Sequence, residues 1–287
     1  MKEIAARIAR VPGVVGVTLG GSRARGTNRP DSDWDLGLYY RGAPDLTALE
    51  ALAAEVTGGP VEIHPPGAWG PWVNGGAWLV MPDGSHVDWI FRDLNRVRQV
   101  WADCRAGRFE TGMQAGHPLG FWSPAYAGEV ALGRVLIDGT GELTRLQEET
   151  RTYPEPLRTA LTDTAVWDAG FSAAMAAKSA AAQDVLHAAL CLSRAIGALV
   201  QALHAHHGVW CLNEKGALAA AAALPHTPPG FATRATALLG ELGRTPEELR
   251  RSLTLAEQLI TEVRETVATD RGTHMTVRGN HGDRGED

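Results

Sequence analysis

The stretch "DSDWDLGLYY" at residues 31–40 sets aspartates at alternate positions on the threshold of an apolar run. In an extended chain successive side chains point to opposite faces, so Asp33 and Asp35 share one face while Trp34 and Leu36 take the other. Two carboxylates a few ångströms apart repel, and each raises the other's pKa unless a cation neutralises them. Hard oxygen ligands on a rigid strand suit Mg²⁺, which is held by one or two carboxylates with phosphate oxygens completing its shell. The pair therefore implies a metal, and the metal implies phosphates. Asp31, beside Pro30 and ahead of the strand, reads as a turn former.

The residues before the pair supply a place for those phosphates. "VVGVTLGG" reads as a buried strand that stops at Gly20 and Gly21, where the backbone can approach a ligand closely. Ser22 adds a hydroxyl and an amide, and a short helix opening there aims its amides at an anion. A third carboxylate, Asp88, stands in "HVDWIF", which with "AWLVM" flanks the bend-forming Pro82-Asp83-Gly84-Ser85 and predicts a hairpin. With Asp33 and Asp35, Asp88 makes a set able to hold two Mg²⁺ ions for an in-line phosphoryl transfer.

Around this centre the chain changes character. Gly, Pro and Trp crowd residues 58–124, while alanine is concentrated between 159 and 239. An amphipathic helix over residues 2–10, strands at "VVGVTLGG", "WDLGLYY" and "VEIH", a helix over 45–57 and the hairpin predict a mixed sheet flanked by helices. From Asp93 the pattern turns helical, interrupted by the glycine-rich loop "TGMQAGHPLG" and by Pro154 and Pro156. Residues 157–208 predict two helices with a break near 178–183. "TPEEL" predicts a last helix with Thr245 as cap and Glu248 at the capping-box position, running to about residue 268. The expected fold class is α+β: a sheet domain over 1–107, a connecting segment over 108–153, an all-α bundle over 154–269 and a disordered tail over 270–287.

Bulk properties narrow the function classes. The formal charge of −6 over 287 residues argues against a protein that lives on nucleic acid phosphates. Three widely spaced cysteines, Cys104, Cys191 and Cys211, form no C-x-x-C pair, so neither a disulfide framework nor a thiolate zinc site is expected. The charged start, Met1 to Arg10, does not read as a signal peptide, and no apolar run reads as long enough to span a bilayer. The expectation is a cytoplasmic protein without a nucleic acid or membrane partner. Its oligomeric state is not legible.

The ordered set "LGGSRARGTNRPDSDWDLGLYY" and "HVDWI" resembles the signature of the DNA polymerase beta nucleotidyltransferase superfamily. The resemblance covers residues 1 to about 105. The helical half is similar only in layout to small-molecule members such as kanamycin, streptomycin and lincosamide nucleotidyltransferases. The resemblance implies that Gly21 and Ser22 hold a nucleoside triphosphate and that Asp33, Asp35 and Asp88 bind Mg²⁺. It implies transfer of a nucleoside monophosphate, AMP from ATP in the first instance, to the hydroxyl of a small acceptor such as an aminoglycoside-like antibiotic, with release of pyrophosphate. "GSRARG" also resembles the short antitoxin-type members, which makes a regulatory protein acting on a protein partner the alternative. Between Arg23 and Arg25, Arg25 is the preferred triphosphate contact.

The helical half offers further candidates. A general base for the acceptor hydroxyl would be a carboxylate outside the metal set. Asp184, in "AAAQDVLHAAL", is an isolated acid in an apolar helix and the first candidate, with a helix cap as the equal alternative. Glu129 and Asp168 follow. Lys215, in "WCLNEKGAL", resembles the lysine that reaches the triphosphate in the adenylyltransferase relatives, against a surface lysine at a helix start. His117 is read as a turn histidine, with a contact to substrate or nucleotide as the alternative, and "HAHHG" at 204–208 as a helix end. Trp69, Trp72 and Trp78 are candidate pocket residues.

Overall fold

The computed structural model describes the backbone of residues 1–279 and the side chains through residue 269. The chain divides into two compact units, Met1–Pro154 and Glu155–Asp287.

The first unit is built on a five-stranded sheet. Its elements run α1 (Lys2–Ile8), β1 (Val14–Leu19), α2 (Gly21–Arg25), β2 (Trp34–Tyr40), α3 (Leu46–Thr57), β3 (Gly76–Val80), β4 (His86–Asp93) and α4 (Leu94–Arg105). β5 (Thr111–Gln114), β6 (His117–Trp122), α5 (Ala125–Leu132), β7 (Arg134–Asp138) and α6 (Glu142–Thr150) complete it. Strand order is β3-β4-β2-β1-β7, with β2 and β4 parallel and the other pairs antiparallel. Together with the helical second unit this is the expected α+β class.

One face of the sheet makes the core. Val17 and Leu19 of β1, Leu36 and Leu38 of β2, Val87, Trp89 and Phe91 of β4 and Leu79 of β3 are all buried there with Ile8 of α1 and Leu49 of α3. The period of two that buries these residues turns Asp35, Asp88 and Trp78 to the opposite face. Three features depart from the sequence reading. "VEIH" is not a strand, because Pro65 and Pro66 follow at once, and only His64 pairs, with Gly76. The loop "TGMQAGHPLG" is instead the β5–β6 hairpin. Residues 108–153, expected as a connector, lie within the first unit, and their "RVLID" segment pairs with β1 as the edge strand β7.

The second unit is helical: α7 (Glu155–Ala181), α8 (Val185–His206), α9 (Ala217–Ala222), α10 (Phe231–Gly240) and α11 (Pro246–Gly279). α7, α8 and α11 pack on one another. The break between α7 and α8 falls where the sequence predicts it. By length and composition α8, at 22 residues, would suffice to cross a membrane, which corrects the expectation that no run is long enough. Its inner face, including Leu192, Ala195, Leu199 and Leu203, is buried, as in the central helix of a bundle. α11 opens on the expected capping box: the Glu248 carboxylate accepts from the Thr245 amide at 2.9 Å and the Thr245 hydroxyl accepts from the Glu248 amide at 3.3 Å. The Arg244 amide, which also donates to this carboxylate, and then the Thr245 amide pull the Glu248 carboxyl down to a pKa of about 2. The helix continues past residue 268 to Gly279, and the rest of the expected tail, 280–287, lies outside the described residues.

Candidate active site

The site assembles where β1 ends and β2 and β4 begin. The Gly20 amide donates to the Asp35 carbonyl at 2.7 Å, which brings the turn after β1 against the start of β2. On the other side of β2, Asp35 stands opposite Asp88 in the parallel register, and Asp88 in turn stands opposite Trp78 of β3. Residues opposite one another in a ladder point to the same face. Asp35, Asp88 and Trp78 thus form one row across β2, β4 and β3, and Gly20, just past the end of β1, extends it on the other side of Asp35. Asp33 lies just ahead of β2 and is exposed.

Electrostatics tie the three carboxylates together. Burial pushes the Asp88 carboxyl up to about 6, and the charges of Asp35 and then Asp33 push in the same direction, with His86 opposing them. At neutral pH the site holds clustered negative charge, partly withdrawn from water, of the kind a cation relieves.

The turn is shaped by what it must avoid. Gly21 has φ +60°, a left-handed conformation natural to glycine, and a methyl at its Cα would overlap Oδ2 of Asp35. Any other residue would be strained and would displace the carboxylate. Arg23, two residues on, is committed to the protein. Its Nε donates to the Ser32 carbonyl at 2.9 Å and to the Asp33 carbonyl at 3.2 Å, and its Nη2 to the Pro30 and Ser32 carbonyls at 3.2 and 2.6 Å. Its guanidinium also lies 4.2 Å above the Trp34 ring. Arg23 therefore clamps the loop that delivers Asp33, while Arg25 is exposed. Asp31 is exposed beside Arg29, in the turn closed by the Ser32 hydroxyl, which accepts from the Arg29 amide.

The donor set fits Mg²⁺ by its chemistry: Asp35 and Asp88 are paired hard oxygen ligands and Asp33 is the carboxylate nearest to them along the strand. Among the described residues no group of three or more His, Cys, Asp or Glu side chains is gathered to hold a metal ion. What the residues present is a carboxylate pair with Asp33 adjacent to it.

Other candidates have structural duties. Glu129 grips the buried Arg92 of β4 with both oxygens, at 2.6 and 2.7 Å, and so does not serve as a free base. Burial disfavours the Arg92 charge, but the Glu129 carboxylate outweighs it and the guanidinium pKa is raised. Burial and then the Glu129 charge hold the Tyr39 phenol far above its usual pKa. In the second unit Asp168 takes Arg194 at 3.0 and 2.8 Å. Asp184 is not inside its helix: it caps α8, and its Oδ1 accepts from the His187 amide at 3.0 Å. Lys215 is exposed, ahead of α9, with its amide bound to Asn213 Oδ1 at 3.0 Å. His117 begins β6, with its ring edge-on to Phe121. The 204–208 stretch is a helix end, where His204 and His207 bond the Val200 and Leu203 carbonyls.

Two roles were missed in the sequence reading. The Arg23 clamp depends on a loop fold that has no sequence signal. The place of Trp78 beside Asp88 was legible, because a hairpin closed at residues 81–85 pairs Val80 with His86 and hence Trp78 with Asp88.

Residues 1–64 match a family model described as a nucleotidyltransferase domain. The match places the N-terminal segment with nucleotidyltransferases and supports nucleotidyl transfer as the general activity; it includes Asp33 and Asp35 and ends before Asp88. Residues 127–215 match a second model, described as a domain of unknown function (DUF4037). No curated protein matches. The chain is similar to the crystal structure of a nucleotidyltransferase-like protein from Exiguobacterium sibiricum, at 13% identity and a TM-score of 0.47 over 93% of this chain and 76% of that one.

Proposed function

We propose that this nucleotidyltransferase segment moves a nucleoside monophosphate, AMP from ATP in the first instance, to a hydroxyl of a small acceptor and releases pyrophosphate. An aminoglycoside such as kanamycin is the first acceptor to try. The observation that carries the reading is the Asp35–Asp88 pair in register beside a turn in which Gly21 leaves no room for a Cβ. In this reading Asp33, Asp35 and Asp88 hold Mg²⁺, which when bound neutralises phosphate charge and polarises the reacting oxygens. Gly21 and Ser22 approach the triphosphate with their amides, and the exposed Arg25 adds a positive charge. Arg23 fixes the loop so that Asp33 arrives next to its partners.

Asp184 is dispensable as a base in this account, since its carboxylate is engaged as a cap, and the acceptor proton leaves to solvent or to the carboxylate pair. The test is pyrophosphate release from ATP and Mg²⁺ with and without kanamycin, in the wild type and in Asp33→Asn. A rate at least 100-fold lower in the variant is expected; equal acceptor-dependent rates in the two proteins would remove Asp33 from the site.

A further inference from the structure

Trp78 is 60% exposed, although it lies on a strand whose neighbours Ala77 and Leu79 are buried. Such exposure is unusual for an indole, the side chain with the largest apolar surface to hide. Trp78 is not loose. Its ring stacks on Trp69 with centroids 4.3 Å apart and planes 19° apart, and His64 meets both rings at 5.3 and 5.4 Å. His64 is itself pinned to the sheet edge by its pairing with Gly76. The Trp69 Nε1 is buried without a hydrogen-bond partner, so the stack is kept in place at the cost of an unsatisfied donor. A braced, open aromatic surface results, bordered by a groove of about 490 Å³ between residues 57–64 and Trp78 and Val80.

Its position gives it an occupant. Trp78 is the register partner of Asp88, one strand spacing away on the same face, and stands at the end of the row opposite to Gly20. Three strand steps separate the glycine turn from Trp78, roughly 14 Å at the usual spacing of about 4.8 Å. That suits a nucleotide laid along the row, with its phosphates at the aspartates and its base drawn away from them. The geometry points to Trp78, backed by Trp69 and His64, as the platform on which the base of the nucleoside triphosphate stacks. This rests on the nucleotidyl-transfer reading and adds the residue that positions the base. Stacking accepts any base, because every base has a π-face, so Trp78 contributes affinity for nucleotides in general and little choice among them.

Calorimetry on the full chain with Mg²⁺ and two probes, α,β-methylene-ATP and inorganic tripolyphosphate, tests this. Trp78→Ala is expected to weaken the ATP analogue at least tenfold and leave tripolyphosphate within twofold, while Trp78→Phe keeps most of the analogue affinity. If Trp78→Ala binds both probes as the wild type does, or loses both equally, the platform is overturned. A wild type that binds neither probe overturns the nucleotidyl-transfer reading itself, and the platform with it, which separates the two failures.

Discussion

Asp35 and Asp88 stand opposite each other on parallel strands, and the charge of Asp35, added to burial, lifts the Asp88 carboxyl to about 6. The folded-state pKa is above that of the unfolded chain, so the native state holds the extra proton between about pH 4 and 6. Stability without metal is therefore fully favoured below that window and falls as the pH rises through it. Asp88→Asn removes the effect. In urea unfolding with EDTA the variant should match the wild type near pH 4 and exceed it by about 1 kcal/mol at pH 8, a figure well below the full shift because the carboxyl is partly open to solvent. Equal stability at pH 8 would refute the coupling.

Gly21→Ala probes the turn. A left-handed alanine costs about 1–2 kcal/mol, and the added methyl must push the Asp35 carboxylate aside. Thermal unfolding should drop by several degrees, and Mg²⁺-dependent turnover by more than tenfold at a temperature where the variant is fully folded. Turnover unchanged in folded variant protein contradicts the close approach.

The two arginines of α2 should separate cleanly. Arg23→Ala releases four hydrogen bonds to the 30–33 loop and is expected to lower kcat and to speed proteolysis of that loop. Arg25→Ala should raise the KM for ATP a few-fold and leave thermal stability alone. Identical kinetic signatures would show that the clamp has no distinct role.

Glu129→Gln leaves the buried Arg92 guanidinium without its counter-charge, a loss of about 3 kcal/mol in denaturant unfolding. A catalytic base would instead lose turnover with stability intact. Asp184 is separated in the same way: Asp184→Asn retains a capping side chain and is expected to keep both stability and turnover, whereas Asp184→Ala costs about 1 kcal/mol.

What could be read from the sequence follows how local each signal is. The β2 aspartates, the β3–β4 hairpin and the α11 capping box were legible, because alternation, turn chemistry and capping each act within a few residues. β7 was not: "RVLID" becomes a strand by pairing with β1, more than 100 residues earlier in the chain, and nothing near it marks that partner. The hairpin hidden in "TGMQAGHPLG" was read as a loop because its glycines mask the alternation. Glu129 and Asp168 looked like spare acids because their arginines, Arg92 and Arg194, are 37 and 26 residues distant. Asp184 illustrates the one-residue sensitivity of caps: with the helix starting at Val185, the same side chain closes a helix end.

The Asp35–Asp88 pair is proposed to serve nucleotidyl transfer. Mass spectrometry of reactions containing ATP, Mg²⁺ and kanamycin or another hydroxyl acceptor, run with the wild type and with Asp35→Asn, tests it most directly. An acceptor heavier by one adenylyl group is expected with the wild type and none with Asp35→Asn; adduct formed at the same rate by both proteins would remove the pair from the reaction.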